Sequence, residues 1–193
     1  MIPLFDEASH TYTVDGVAVP SVTQIMGGLR DFAGIPEWVL AAAAVRGDAA
    51  HRACALLDLD DLDESTVAPK VAPYLDGWRL FSQREKPEWA LVERPLYDPT
   101  NRYAGTPDRA GWALDGWGVF EIKTTAQLHP AFGVQLAGYH RLVCVDADFE
   151  PATRRYVVQL LPNGKYRVEQ YKDPLDEVVF ASCLAINHWR RRL

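Results

Sequence analysis

Apolar and polar positions alternate with period two along 10–14 and again along 17–19, on either side of Asp15-Gly16. Alternation of this kind marks a half-buried strand, and Asp-Gly between two such runs is a strong hairpin signal. The period then lengthens. Ser21 or Thr23 is placed to cap a short helix running to about residue 29, with Gly27-Gly28 at its end. Pro36 suits the first turn of a second helix, which carries Trp38, the alanine block 41–44 and His51 to about Leu57, with Gly47 as the point that weakens it. The acidic stretch 58–64 reads as a solvated loop. Tyr74, Leu75, Trp78 and Phe81 recur at helical spacing and predict an amphipathic helix over 70–86.

The pattern changes after Pro87. Three strands are predicted over 89–96, 103–112 and 117–123, the last two joined around Asp115-Gly116. Pro130 opens a helix that carries Phe132, Gln135, Leu136, Tyr139 and Leu142. A second hairpin follows over 153–161 and 166–171, turning at Pro162-Asn163-Gly164. Asp173 as N-cap and Pro174 at the first helical position start a last helix to about residue 191. Helices followed by strands, a helix, strands and a helix predict an α/β (α+β) fold: a central mixed β-sheet flanked by helices, with an N-terminal β-hairpin and a helical N-terminal half. The expectation is one domain, with a helical part over about 21–86, a core over 87–172 and a C-terminal helix over 173–192.

Composition narrows the picture. The 193 residues are 48% hydrophobic, enough for a sizeable core in a single domain. The net charge of −6 gives no overall attraction to nucleic acid, so DNA binding requires a local basic patch and cations that offset acidic groups. The three cysteines are far apart and form no CxxC pair, which argues against a zinc ribbon and predicts no iron–sulfur cluster. Their odd number suggests reduced thiols in a cytoplasmic protein. The first residues lack a basic, apolar leader, and no run of about 18 apolar residues occurs, so neither a signal peptide nor a membrane span is expected.

The candidate chemistry lies in Glu121-Ile122-Lys123. Residues two apart on a strand share a face, so Glu121 and Lys123 project together while Phe120 and Ile122 project to the other side. If the 103–112 strand pairs with this one, Asp108 lies beside Glu121. Two carboxylates suit Mg²⁺ or Mn²⁺. An ammonium beside them can orient a water and stabilise charge on a phosphorane. Glu and Lys at this spacing also occur as a plain solvated surface pair.

The surrounding motifs are Gly105-Thr106-Pro107-Asp108, Glu121-Ile122-Lys123-Thr124, Gln135-Leu136-Ala137-Gly138-Tyr139, the Gly-x-x-x-His element of Gly47 and His51, and the opening His10-x-Tyr12, Asp15-Gly16 and Pro20-Ser21-Val22-Thr23. In this order they resemble the PD-(D/E)XK nuclease superfamily, and within it the RecB-like and phage-type exonucleases, over about residues 10–140. The resemblance implies a restriction-endonuclease-like α-β-β-β-α-β core and Mg²⁺-dependent cleavage of DNA in recombination or repair. It implies Asp108, Glu121, His51 and the Ile122 backbone carbonyl as metal ligands, with Glu93 as an additional candidate. Lys123 would be the catalytic lysine, and Gln135 and Tyr139 would flank the site from one helix face, as their i, i+4 spacing independently suggests.

Other readings stand beside these. His51 suits a structural histidine in an alanine-rich helix, and Tyr139 a core aromatic. His140 and Cys144, also i, i+4, read as structural. Arg46, Arg52, Arg102, Arg109 and Arg141, with the 190–192 triplet, are candidates for phosphate contacts. The triplet equally complements a helix dipole. Trp38, Trp78, Trp112 and Trp117 are candidates for base stacking or for the core. Expected partners are linear DNA ends, further copies of the chain and a single-strand annealing protein, in the cytoplasm of a bacterial host if the chain is phage-encoded. An endonuclease or a non-catalytic DNA-binding module on the same scaffold are the alternatives.

Overall fold

The computed structural model describes residues 2–6, 9–27, 29 and 36–192. Strands β1 (Leu4–Asp6), β2 (Thr11–Val14) and β3 (Val17–Val19) form an antiparallel N-terminal sheet, with the expected hairpin at Asp15-Gly16. Both turn residues have positive φ, the geometry of a tight hairpin. Helix α1 (Val22–Ile25) carries a capping box: the Gln24 amide donates to Ser21 Oγ at 3.0 Å, and the Ser21 amide donates to Gln24 Oε1 at 3.0 Å. Gly28, placed at the end of this helix by the sequence, lies outside the described residues. Helix α2 (Glu37–Asp58) runs unbroken through Gly47, and α3 (Ala72–Glu85) follows.

The central sheet has five strands in the order β10-β9-β8-β7-β4. They are β4 (Glu88–Val92), β7 (Arg109–Ala113), β8 (Gly116–Lys123), β9 (Arg154–Leu160) and β10 (Tyr166–Gln170). All neighbours are antiparallel except β8 and β9, which are parallel and joined through α4 (Ala131–Val145). The strands predicted over 89–96 and 103–112 are each broken in two, because Pro95 and Pro107 cannot donate to a ladder. The inner pieces, β5 (Leu96–Asp98) and β6 (Tyr103–Gly105), pair separately as a small hairpin.

Helices cover both faces of the sheet. One core packs Val119, Trp117 and Leu91 against α4 and α5 (Leu175–Arg190); the other packs Phe120, Ile122 and Tyr156 against α2 and α3. The alternation predicted for β8 is therefore observed. Helix α4 is buried on nearly every side because sheet, α1 and α5 all lie against it. Gly138 permits a close approach: a Cβ there would fall 2.6 Å from the Phe180 ring of α5. Helix α5 begins one residue later than expected. Pro174 occupies the cap position, while the Asp173 carboxylate still accepts the Leu175 amide at 2.8 Å.

Strand β4 carries a bulge between Trp89 and Leu91, opposite Gly111. A Cβ on Gly111 would sit 2.2 Å from the Glu88 carbonyl oxygen, so only glycine admits the β4 backbone there. The extra residue reverses the side-chain alternation. Trp89 packs on the α2–α3 side and Leu91, two residues on, packs on the α4 side.

Candidate metal centre

Four chemistry-bearing positions meet at one end of three neighbouring strands. Glu121 and Lys123 lie at the C-terminal end of β8, Asp108 immediately before β7, and Glu93 immediately after β4. The antiparallel pairing of these strands makes those ends coincide, and the Glu93 amide donates to the Asp108 carbonyl at 3.0 Å. Helix α2 adds His51 and helix α4 adds Gln135 and Tyr139.

Asp108 is the hub. Its Oδ2 accepts the Ile122 amide at 2.6 Å, and its Oδ1 lies 3.1 Å from His51 Nδ1. Burial opposes its ionisation, but the facing His51, the Lys123 ammonium and the Ile122 amide hold its carboxyl below the usual carboxylate range. For His51, burial alone would favour the neutral ring. The Asp108 charge and hydrogen bond outweigh it, and the pKa is raised. The structure thus satisfies His51 with Asp108, and one ring nitrogen remains the group a metal would have to win from a proton.

Glu121 is 3% exposed. Its Oε1 accepts Lys123 Nζ at 2.7 Å and Gln135 Nε2 at 2.9 Å, while Oε2 is buried without a hydrogen bond. Burial and the nearby Asp108 charge push this carboxyl up to about 7, against the pull of Lys123. Gln135 also donates toward the Tyr139 hydroxyl at 3.3 Å, so the two share a face and point at Glu121 as expected. Burial and Glu121 raise the Tyr139 phenol well above its ordinary value, leaving it a neutral hydrogen-bonding group. The Lys123 ammonium lies 5.0 Å from the centre of the Phe132 ring, a cation–π contact that fixes its direction.

Among the described residues, His51, Glu93 and Asp108 form one close group in which a ligand atom from each lies within 4.8 Å of the others. Glu93, only an additional candidate from sequence, is thus a member of this group, and Glu121 stands beside it rather than in it. Burial and the Asp108 charge raise the Glu93 pKa. The carboxylates of Asp108 and Glu93, with the buried Glu121 Oε2 beside them, are oxygen donors of the kind Mg²⁺ or Mn²⁺ takes, whereas the His51 imidazole suits a transition metal better than Mg²⁺. Ile122 contributes its amide to Asp108, and its side chain is buried in the α2–α3 core.

The predicted cationic contacts are not brought together at this strand end. Arg109 is fully buried and cannot face DNA, which corrects the sequence reading. It follows Asp108 on an extended chain and therefore points to the opposite face. There its Nε donates to Asp58 Oδ2 at 2.7 Å, its guanidinium lies 5.4 Å from the Trp78 ring centre, and its Nη1 lies 3.5 Å from Glu93 Oε1. Nη1 also donates to the Asp108 carbonyl at 2.6 Å, so this arginine braces the site from behind. The acidic run 58–64 reads from sequence as a solvated loop, but Asp58 ends α2 with its side chain only 7% exposed; nothing local distinguishes it from its acidic neighbours. Arg46 lies over the Tyr74 ring on α2, and Arg52 on the same helix is exposed. Arg102, in the β5–β6 turn, and Arg141 lie at the far end of that hairpin from Asp108.

Gly47 faces the same strand end as His51, with an added Cβ 3.7 Å from Thr124 Oγ1. Tyr12 ties the N-terminal hairpin to the turn before Asp108 through a 2.7 Å bond between its hydroxyl and Thr106 Oγ1. Trp78 and Trp117 are core residues, whereas Trp38 and Trp112 are exposed. His140 lies between the Ala152 carbonyl, 2.8 Å from Nε2, and Glu177, 3.3 Å from Nδ1, with Cys144 Sγ 3.7 Å away, in keeping with a structural role. No helix among the described residues is long and apolar enough to cross a membrane. A scan of protein-family models finds no match to this chain, and neither does a search of curated proteins.

Proposed function

We propose that this chain is a Mg²⁺-dependent deoxyribonuclease of the PD-(D/E)XK type that degrades linear DNA from its ends. The observation that carries this reading is the convergence of Asp108, Glu121 and Lys123 with His51 and Glu93 at one strand end. The order of three antiparallel strands, a helix and a parallel strand in the central sheet supports a restriction-endonuclease-like core.

Asp108, Glu121, Glu93 and His51 would hold the ion. A divalent cation among them supplies Lewis acidity to the phosphodiester and lowers the pKa of the attacking water. Lys123 orients that water and donates hydrogen bonds from Nζ to the charge that builds on the phosphoryl oxygens. Gln135 anchors Glu121 Oε1, which frees Lys123 to exchange its carboxylate partner for the reacting group. The Ile122 amide and the buried Arg109 keep the Asp108 turn in place during the reaction.

The test is digestion of end-labelled linear and covalently closed circular DNA with Mg²⁺ or with EDTA. Release of mononucleotides from linear DNA alone, abolished by EDTA and by Lys123→Ala, is the expected result. Full activity of the Lys123→Ala protein overturns the mechanism. Cleavage of the closed circle assigns an endonuclease instead.

A further inference from the structure

A concentration of basic residues lies away from the candidate metal centre, where α4 and α5 meet the β5–β6 turn. A cavity of about 370 Å³ opens there, lined by Asn101, Arg141, His188, Trp189 and Arg192 over a floor of small and aliphatic α5 residues. That volume is within the roughly 300–1,000 Å³ typical of small-ligand sites. Among the described residues no carboxylate lines it, although acidic residues outnumber basic ones 26 to 20 in the chain.

The acidic group nearest in sequence is already committed. Asp98 is 1% exposed and spends both oxygens on the turn, accepting the Thr100 and Asn101 amides at 2.9 Å and Asn101 Nδ2 at 2.7 Å. The turn so fixed presents the Asn101 carbonyl, 2.7 Å from His188 Nε2, which locks one wall to α5. Glu177, one turn before Ala181 on the same face of α5, is drawn toward His140 and Arg155.

Dipole complementation explains a basic residue at the end of α5. It does not explain Arg141, which reaches the same cavity from a different helix. Nor does it explain Trp189, which remains 60% exposed at the rim. The α5 carboxyl end carries only about half a negative charge, and two full guanidinium charges outweigh it. Guanidiniums beside an open indole make a phosphate site with a stacking surface.

We infer that this cavity binds a nucleoside monophosphate unit, free or within a strand, with Arg141 and Arg192 on the phosphate and Trp189 against the base. The inference stands apart from phosphodiester cleavage and is tested without it. The full chain in EDTA is titrated calorimetrically with thymidine 5′-monophosphate, 5′-phosphorylated hexathymidylate, thymidine and inorganic phosphate. The nucleotide is expected to bind at least tenfold more tightly than thymidine or phosphate. Trp189→Ala brings it down to the level of phosphate, and Arg192→Ala or Arg141→Gln weakens it by about tenfold. Val178→Ala, on the same helix and outside the cavity, leaves binding unchanged. Tighter binding of the hexamer than of the monophosphate assigns the site to a strand, and equal binding assigns it to a free nucleotide; either supports the site. No binding of both at millimolar concentration, phosphate binding as tightly as the nucleotide, or indifference to Trp189→Ala and Arg192→Ala overturns it.

Discussion

The Asp108 carboxylate is bound to the backbone of the strand that carries its partner acid: Oδ2 accepts the Ile122 amide at 2.6 Å. One oxygen is thereby fixed, and the other is left to face His51 at 3.1 Å. The pair is the reason His51 is charged more readily than an ordinary histidine, since burial alone pulls the other way.

Asp108→Asn separates these effects. An asparagine oxygen still accepts the Ile122 amide, so the turn is retained, but the charge facing His51 is gone. Burial and the Lys123 charge then oppose the charged ring against only the weaker pull of Glu121, so the His51 pKa is expected to fall below its ordinary value of 6.5. Titration of the histidine ring signals by NMR in the two proteins checks this. An unchanged His51 pKa would falsify the electrostatic account.

Glu121 predicts how metal-free stability depends on pH. Its carboxyl rises from an ordinary 4.5 to about 7 in the fold, so between those values the native state keeps a proton that the unfolded chain has released. Stability therefore falls as pH rises through this window. His51, also raised, contributes stability below 6.5 that is lost as pH rises through its folded pKa, in the same direction. The Glu121 contribution is at most about 3 kcal/mol. Urea unfolding in EDTA is expected to show lower stability at pH 8 than at pH 5, and Glu121→Gln to flatten the slope. Millimolar Mg²⁺ should restore stability chiefly at pH 8, where it need not displace protons. A metal effect that is equal at both pH values would count against ligation by these groups.

The sequence made the β8 alternation legible because a strand period of two leaves Glu121 and Lys123 no other arrangement. It made the α4 face legible for the same kind of reason, since Gln135 and Tyr139 are one helical turn apart. Asp108 beside Glu121 followed from assuming a hairpin, which β7 and β8 form. The charge of Arg109 suggests a phosphate contact, yet the alternation of an extended chain sends its side chain away from Asp108 and into the core. The β4 bulge was not legible. It arises from the backbone contact between Gly111 and Glu88, a tertiary relation that leaves Trp89 and Leu91 looking like a same-face pair in sequence. The partnership of Asp58 with Arg109, 51 positions apart, has no local signal either.

That partnership carries its own prediction. Arg109 has no exposed surface, and Asp58 meets it at 2.7 Å and the Trp78 indole N–H at 3.0 Å. Removing Asp58 leaves the buried guanidinium with only the more distant Glu93 carboxylate, 3.5 Å from Nη1, and breaking such a buried pair costs up to about 3–5 kcal/mol. Asp58→Ala is expected to lose stability on this scale in urea unfolding. Arg79→Ala, which breaks pairs with Glu64 and Asp76 at the surface, should cost no more than about 1 kcal/mol. Similar losses in the two variants would mean that Arg109 is screened from within the fold.

Two glycines predict opposite outcomes from the same substitution. Gly47 lies inside α2, and a Cβ there meets only Thr124 Oγ1 at 3.7 Å, an ordinary contact. Gly47→Ala should therefore stabilise the helix by about 0.5–1 kcal/mol through reduced backbone entropy in the unfolded chain. Gly111→Ala drives a Cβ to 2.2 Å from the Glu88 carbonyl oxygen, and backbone must yield. The expected loss is about 1–3 kcal/mol, the range of overpacking. Because Glu93 follows β4 directly, displacement of the strand also moves one member of the His51, Glu93 and Asp108 group. Mg²⁺ affinity, followed calorimetrically, should drop in Gly111→Ala and by roughly tenfold in Glu93→Ala, on the scale of losing one supporting group, while Gly47→Ala retains it. If Gly111→Ala lost stability yet bound Mg²⁺ like the parent, the bulge would serve packing alone and Glu93 would not belong to the metal centre through β4.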